Sequence, residues 1–343
     1  MTAIPVLDMA PLAQGRPGAA AALAAAIRDA SENVGFYFLV GHGVPWALVE
    51  RTFAQAARFH AQPLEAKQAI RINEHNIGYM GMGASVTRSS AVNANTRPNL
   101  NEAVFFKRDR GPDDPKVVAG RRFCGMNQWP AGLPGFREAI VAHMDAMERL
   151  AKRLVPLYAA SLDLPEGWFD AAFADPQYTL RLSHYPPMAV HGDNEFGSAP
   201  HTDSSFITLL PQSPVPGLEI RTREGAWMPC PVIAESILVN SGDMMRRWTN
   251  HRYLSTPHRV RNMSGGDRYA IPFFFDANVD HEIACLPTCQ GPDNPPRYPP
   301  TTYAEYMLWF ARKNYDHQRS RDGDPGAAPG THAQTSPGED ARA

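Results

Sequence analysis

Thirty-two prolines run through this 343-residue chain. Proline removes a backbone donor and clashes with the preceding turn, so it interrupts helix interiors and central strands alike. An all-helical bundle is therefore disfavoured. From Tyr178 onward, residues 180–185, 206–210, 218–221, 236–240, 258–261 and 269–275 are short apolar runs separated by Pro, Gly, Asn and Asp. Short strands at such spacing argue for a β-sandwich or barrel.

The first half reads differently. Residues 5–8 form a short opening strand, residues 19–33 an alanine-rich helix ended by Gly35, and residues 36–40 an aromatic strand. Residues 46–59 are helical. Residues 76–100 are polar, glycine-spotted and without a period, a length that usually serves as a lid or binding loop. The firmest helix spans 136–162, where Phe136, Ile140, Met144, Met147, Leu150, Leu154 and Tyr158 paint one apolar stripe, with Pro156 a candidate kink. Residues 301–316 read as helix again. The organisation expected is a helical and β region over 1–175 packed on a β core with a C-terminal helix over 176–318. A disordered tail follows over 319–343, poor in large apolar groups.

Composition closes off several function classes. Thirty-three Lys+Arg against 35 Asp+Glu lack the basic excess of a nucleic-acid binder. No apolar run approaches the length needed to span a bilayer, and the first residues lack a signal-peptide pattern. A cytoplasmic protein with a small-molecule partner is expected; oligomeric state is not legible. Cys124, Cys230, Cys285 and Cys289 form no CxxC pair and read as reduced thiols.

The chemistry-bearing constellation sits in the β-rich half. In His201-Thr202-Asp203, residues two apart on an extended segment share a face, so imidazole and carboxylate can converge on one atom. His258 follows in a separate expected strand. Two histidines and one carboxylate make the facial triad of non-haem iron(II) oxygenases, which leaves coordination positions open. Alone the pattern is weak, because twelve histidines offer accidental matches. Ten residues beyond His258, Arg268 heads an apolar strand, where it would be buried and require a partner. Its fork could anchor the distal carboxylate of a keto-diacid.

Further motifs surround these residues: Gly35-Phe36-Tyr37 with Gly41-His42-Gly43, then Asn127-Gln128-Trp129-Pro130, then Leu180-Arg181-Leu182-Ser183-His184-Tyr185-Pro186-Pro187. Thr208-Leu209-Leu210, Asn240-Ser241-Gly242-Asp243, Trp248-Thr249-Asn250 and Ser255-Thr256-Pro257-His258-Arg259-Val260 follow in order. Taken together, residues 4–315 resemble the 2-oxoglutarate- and iron(II)-dependent dioxygenase superfamily. Within it the chain is similar to the branch of isopenicillin N synthase and the plant flavonoid and gibberellin oxidases, as a bacterial member.

The resemblance implies a mainly β fold with flanking helices, built on a double-stranded β-helix (jelly roll) core. It implies His201, Asp203 and His258 as ligands of Fe(II), with 2-oxoglutarate as cosubstrate and O2 as oxidant. Arg268 would hold the distal carboxylate of 2-oxoglutarate, Tyr185 would add a hydroxyl, and Ser183 would stand beside the metal-bound end. Asp243 is expected to be structural. Hydroxylation, desaturation or cyclisation of a small molecule would follow, with Arg88 and Phe275 as candidate substrate contacts. Arg97 and Phe273 stand beside them in the same two segments. One departure stands out: Ala270 occupies the position where relatives carry a serine that shares the carboxylate. Three alternatives stay open: a 2-oxoglutarate-independent iron oxidase of the isopenicillin N synthase type, a non-catalytic binding protein on the same fold, and, more remotely, a zinc hydrolase.

Overall fold

The computed structural model describes residues 3–188, 192, 194–323, 325, 326, 328 and 329. Its strands are β1 (Val6–Asp8), β2 (Phe36–Val40), β3 (Gly78–Met80), β4 (Glu102–Lys107), β5 (Gln177–Tyr185), β6 (Ser198–His201) and β7 (Ile207–Pro211). They continue with β8 (Leu218–Arg221), β9 (Trp227–Pro229), β10 (Ile237–Ser241), β11 (His258–Val260), β12 (Arg268–Ala270) and β13 (Phe273–Asp276). The helices that matter for the site are α1 (Ala19–Asn33), α2 (Trp46–His60), α3 (Phe136–Ser161), α4 (Tyr303–Asn314) and α5 (Asp316–Asp322).

The large sheet runs β1-β2-β10-β7-β13-β5-β4-β3, with β12 also on β5; the small sheet runs β6-β11-β8-β9. This is the mainly β architecture with flanking helices that the sequence leads one to expect. The N-terminal half is not a separate layer: β2 pairs with β10, and β4 pairs with β5 over six residues. One apolar cluster therefore crosses position 175, joining Leu39, Val104 and Met147 to Leu209 and Phe273.

Helix α3 buries its whole expected stripe, from Phe136 to Tyr158. It runs on through Pro156, whose missing donor is offset by the burial of Leu154, Leu157 and Tyr158 on either side. Strand β4 has no counterpart in the sequence reading, because Glu102 and Lys107 at its ends look like solvated charges. All six of its residues are in fact buried. The expected run 269–275 is two strands, broken at Ile271-Pro272, since proline cannot donate to the ladder. At the C-terminus, Arg319 to Asp322 belong to α5 and not to a tail; most of the remaining expected tail lies outside the described residues.

The polar stretch after β3 is fastened to the site. Asn95 Nδ2 donates to the carbonyls of Thr87 (3.0 Å) and Pro200 (3.1 Å). Asn99 Oδ1 accepts from the Ala199 amide (2.8 Å). On its other side, the Val86 amide donates to the Asn314 carbonyl (3.1 Å). The loop thus ties β6 to α4. Among the described residues, no helix is long and apolar enough to cross a membrane.

One core residue is a liability. His143 on α3 is fully buried and neither ring nitrogen has a hydrogen-bond partner. Burial pushes its imidazole down to about 3, so it is neutral in the folded chain and protonates on unfolding below about 6.5. Because the folded state binds fewer protons there, stability falls as pH drops from about 6.5 towards 3. His143→Leu is expected to raise stability by about 1–3 kcal/mol at pH 7. The gain should grow by roughly 1.4 kcal/mol per pH unit below 6.5. Urea melts of the apo-protein at pH 7 and pH 5 measure both; a variant no more stable than the parent at pH 5 contradicts the assignment.

Candidate metal centre

Strand register brings the two histidines together. β6 and β11 pair antiparallel with His258 opposite His201, and their ring centroids stand 4.3 Å apart. Each Nδ1 is used by a backbone carbonyl two residues earlier: His201 to Ala199 (2.7 Å) and His258 to Thr256 (3.2 Å). A carbonyl can only accept, so both rings donate from Nδ1 and turn Nε2 inward. Phe36 packs edge-on against His258 at 5.5 Å and holds its ring plane.

Asp203 completes the group. Its Oδ1 lies 3.8 Å from His201 Nε2 and 3.6 Å from His258 Nε2, and its Oδ2 accepts from Thr208 Oγ1 (2.6 Å) and Asn240 Nδ2 (2.8 Å). One oxygen is committed and the other is aimed at the imidazoles. Burial opposes ionisation of Asp203, but the two imidazoles and these two donors hold its carboxyl below the usual range. Burial, with His258 alongside, pushes His201 down to about 4, which keeps it neutral with its lone pair available. The three candidate ligand atoms lie within 4.8 Å of one another, a donor set suited to a divalent first-row metal.

The Asn-Ser-Gly-Asp stretch has a mechanical reason. A Cβ at Gly242 would lie 2.2 Å from the Ser205 carbonyl oxygen, so only glycine lets β10 end against the 203–205 turn. There the Asp243 amide donates to the Asp203 carbonyl at 2.7 Å. The Asp243 carboxylate accepts from Thr202 Oγ1 (3.1 Å) and the Tyr306 hydroxyl (2.9 Å), linking the turn to α4. Asp243 is structural, as expected.

A cavity opens from this group between the two sheets, and Ser183, Tyr185 and Arg268 line it. Arg268 is 4% exposed. Its Nε donates to the Val215 carbonyl (3.2 Å), and its guanidinium lies over the Tyr185 ring, 5.2 Å from the centroid. Nη1 is buried without a partner, and no carboxylate pairs with it among the described residues. Ser183 Oγ is likewise buried and unpartnered. β12 pairs with β5 so that Ala270 stands opposite Ser183. A hydroxyl therefore faces the cavity from the neighbouring strand, at the rung where the serine expected at 270 is missing.

The substrate candidates fare differently. Phe275 does not line the cavity: it is fully buried in the main core and stacks on Phe173, centroids 5.1 Å apart. Phe273 is in the same core. Phe274 faces the cavity instead. Parity could have shown this, since Arg268, Ala270, Pro272 and Phe274 are two apart and all line it. Arg88 is turned to the Asp316 carboxylate (3.3 Å) and away from the cavity, and Arg97 pairs with Glu195. The same parity argument picks out Arg181, which the sequence reading passed over: it shares a face with Ser183 and Tyr185 and reaches the cavity.

A second group of matching composition lies elsewhere. His60, Glu102 and His184 also place three candidate ligand atoms within 4.8 Å. Most of their lone pairs are already spent: Glu102 accepts from Lys67 Nζ (2.8 Å), from His184 Nδ1 (2.8 Å) and from the Tyr79 hydroxyl, while His60 Nδ1 has no hydrogen-bond partner and stands 3.4 Å from Glu102 Oε1. His60 Nε2 is engaged with the Leu182 carbonyl at 3.1 Å, and His184 Nε2 with Asp267 at 2.8 Å. Burial disfavours a charge on His184, yet Glu102 and Asp267 outweigh it and raise its pKa. That network is a compensated ion cluster around Glu102, and among the described residues only the His201 group presents a free donor atom from each of its three members.

Comparison with known proteins agrees with this geometry. Residues 176–277 match the model of the 2OG-Fe(II) oxygenase superfamily, and residues 4–132 match that of the non-haem dioxygenase in morphine synthesis N-terminal region. A 2-oxoglutarate-Fe(II) type oxidoreductase of Emericella nidulans is 37% identical over 321 residues, covering 92% of this chain and 91% of the relative. A 2OG-Fe(II) oxygenase family protein from Caulobacter crescentus superposes with a TM-score of 0.78 at 27% identity, over 94% of this chain and 100% of that one. A full-length Neurospora crassa protein solved in complex with alpha-KG superposes with a TM-score of 0.74 at 25% identity, over 89% of this chain and 94% of that one. Curated relatives at 30–37% identity include proteins of Emericella nidulans, Monascus ruber and Penicillium crustosum, which are fungi, so these relatives do not support the expectation of a bacterial member. These matches identify a superfamily without singling out the isopenicillin N synthase-like branch.

Proposed function

Since this chain belongs to the 2OG-Fe(II) oxygenase superfamily, we propose that His201, Asp203 and His258 hold Fe(II) and that Arg268 holds the distal carboxylate of 2-oxoglutarate. The enzyme is a dioxygenase that couples decarboxylation of 2-oxoglutarate to oxidation of a small molecule. The carrying observation is the pairing of two features in one cavity: three free donor atoms at one end, and a buried guanidinium with an unpartnered Nη1 at the other.

The residues present fit both groups. Two neutral imidazoles and one carboxylate leave room for further ligands, and an unpaired buried cation calls for an anion. Bound together with O2, the metal and the oxo-acid supply the oxidising chemistry, which ends in succinate, CO2 and an oxidised C–H bond.

The chain's own residues bind, orient and keep dry. Ala199 and Thr256 carbonyls fix the tautomer of the two imidazoles, as outer partners of metal-binding histidines generally do. Thr208 and Asn240 hold Asp203 so that Oδ1 alone is presented. Tyr185 lies under the Arg268 guanidinium and fixes its plane for a two-point grip on a carboxylate. Ser183 Oγ offers a donor from the rung opposite Ala270, which offsets the loss of the usual serine. Leu210, Leu218, Val260 and Phe274 also line the cavity, and their apolar surface disfavours water beside them.

The test is anaerobic titration of Fe(II) into apo-protein, with 2-oxoglutarate added last. A weak visible charge-transfer band is expected, because an oxo-acid that chelates Fe(II) through its keto and carboxylate oxygens produces one. Stoichiometric iron with no band overturns cosubstrate binding and points to a 2-oxoglutarate-independent oxidase.

A further inference from the structure

The cavity holds a second cation that the proposed chemistry leaves unused. Arg181 enters it from β5, four residues before Tyr185 and on the same face. Same-face neighbours on a strand stand about 6.6–6.8 Å apart, so the rungs of Arg181 and Tyr185 are roughly 13 Å apart along β5. Ser183 sits between them. Arg268 is opposite Tyr185, so the two guanidinium groups mark opposite ends of the cavity.

Arg181 is positioned and not quenched. Its Nη2 donates to Asn101 Oδ1 (2.7 Å), and Asn101 is itself pinned by donating to the Gly197 carbonyl (2.5 Å). The guanidinium lies over the Phe105 ring, 5.3 Å from the centroid. Its Nε is buried without a partner, and among the described residues no carboxylate pairs with it. Formal charge sharpens the point. With Fe(II) and dianionic 2-oxoglutarate in place, the metal and Arg268 cancel the dianion and Asp203. Arg181 is then the charge left over, at a half-buried position where its attraction is less screened than in bulk water.

Resting on the reading of this site as an Fe(II)/2-oxoglutarate centre, we infer that the oxidised substrate is a carboxylic acid whose carboxylate is held by Arg181. Asn101 and Phe105 fix the plane of the guanidinium, and the carbon skeleton lies along Phe274 beside the His201–Asp203–His258 group. A neutral substrate of the same shape leaves Arg181 desolvated and unpaired, so the site discriminates by charge.

The test uses protein loaded with Fe(II) and 2-oxoglutarate under argon. Benzoate, phenylacetate and hexanoate are each compared with their primary amides, by perturbation of the visible band and then, in air, by succinate release. At least one acid is expected to shift the band while its amide does not. Arg181→Gln should weaken that acid by about 10–100-fold while the band formed by 2-oxoglutarate alone is retained, which also reports an intact fold. Arg181→Lys should recover part of the loss. Amides acting as well as acids, no acid perturbing the band, or an unchanged acid affinity in Arg181→Gln each overturn the inference. Failure of 2-oxoglutarate alone to give the band overturns the parent reading, and this one with it, and is recognisable before any acid is added.

Discussion

Asp203→Ala is expected to lose Fe(II) binding and turnover together. Asp203 is the one anionic donor among the three candidate ligands, and its removal leaves two neutral imidazoles facing a divalent cation. The loss should exceed the roughly 10–100-fold that follows removal of an outer partner of a metal ligand. Thr208→Val and Asn240→Leu, which touch only Oδ2, are expected to fall within that range. Anaerobic iron titration with a colorimetric chelator reads binding, and succinate release reads turnover. A stability cost of about 1–3 kcal/mol accompanies Asp203→Ala, because the Thr208 and Asn240 donors lose their acceptor. Circular dichroism separates that cost from the metal effect. Stoichiometric iron and undiminished succinate release in Asp203→Ala would remove the assignment.

Arg268→Leu is expected to do two opposite things. Removing one partner of a buried charge pair costs about 3–5 kcal/mol, so the KM for 2-oxoglutarate should rise by two orders of magnitude or more. The apo-protein should meanwhile become more stable, by roughly 1–3 kcal/mol, because its buried guanidinium has an unpartnered Nη1 and, among the described residues, no counter-ion. Burial already pulls this arginine below its ordinary pKa, which expresses the same strain. Thermal melts with and without 2-oxoglutarate show both effects: a higher apo melting temperature, and loss of the rise that cosubstrate gives the parent protein by mass action. An unchanged 2-oxoglutarate dependence would place the distal carboxylate elsewhere. Stability is thus sacrificed at a binding site, as is common where a group waits for its ligand.

Much of the site is legible in the chain because strand geometry converts spacing into direction. His201 and Asp203, two apart, share a face wherever that segment lies, and Ser183 and Tyr185 obey the same rule. Extended one step, the rule includes Arg181 on one strand and Phe274 on another, both of which line the cavity. The long polar loop stands out in the sequence by its length alone. Its fastening does not, because Asn95 and Asn99 are held by groups about a hundred residues away. Strand β4 is hidden for a related reason. Glu102 and Lys107 read as solvent-facing until the chain brings Lys67 and His184 to the one and Thr179 to the other.

The chain's own chemistry determined what is local. The apolar stripe of α3 follows from the helical period, and the break between β12 and β13 follows from a proline that cannot donate. Tertiary structure alone decided which of two groups of two histidines and one carboxylate keeps its donor atoms free, and which arginines have no carboxylate partner among the described residues. His60–Glu102–His184 and His201–Asp203–His258 have the same composition, yet Lys67, Tyr79 and Asp267 occupy the carboxylate and one histidine of the first, while among the described residues each member of the second keeps a donor atom free. Likewise Arg88, Arg97, Arg181 and Arg268 are equal as letters, while Asp316 and Glu195 neutralise the first two. A free lone pair or an uncompensated charge is defined by what lies within about 4 Å in space, and those neighbours come from distant parts of the chain.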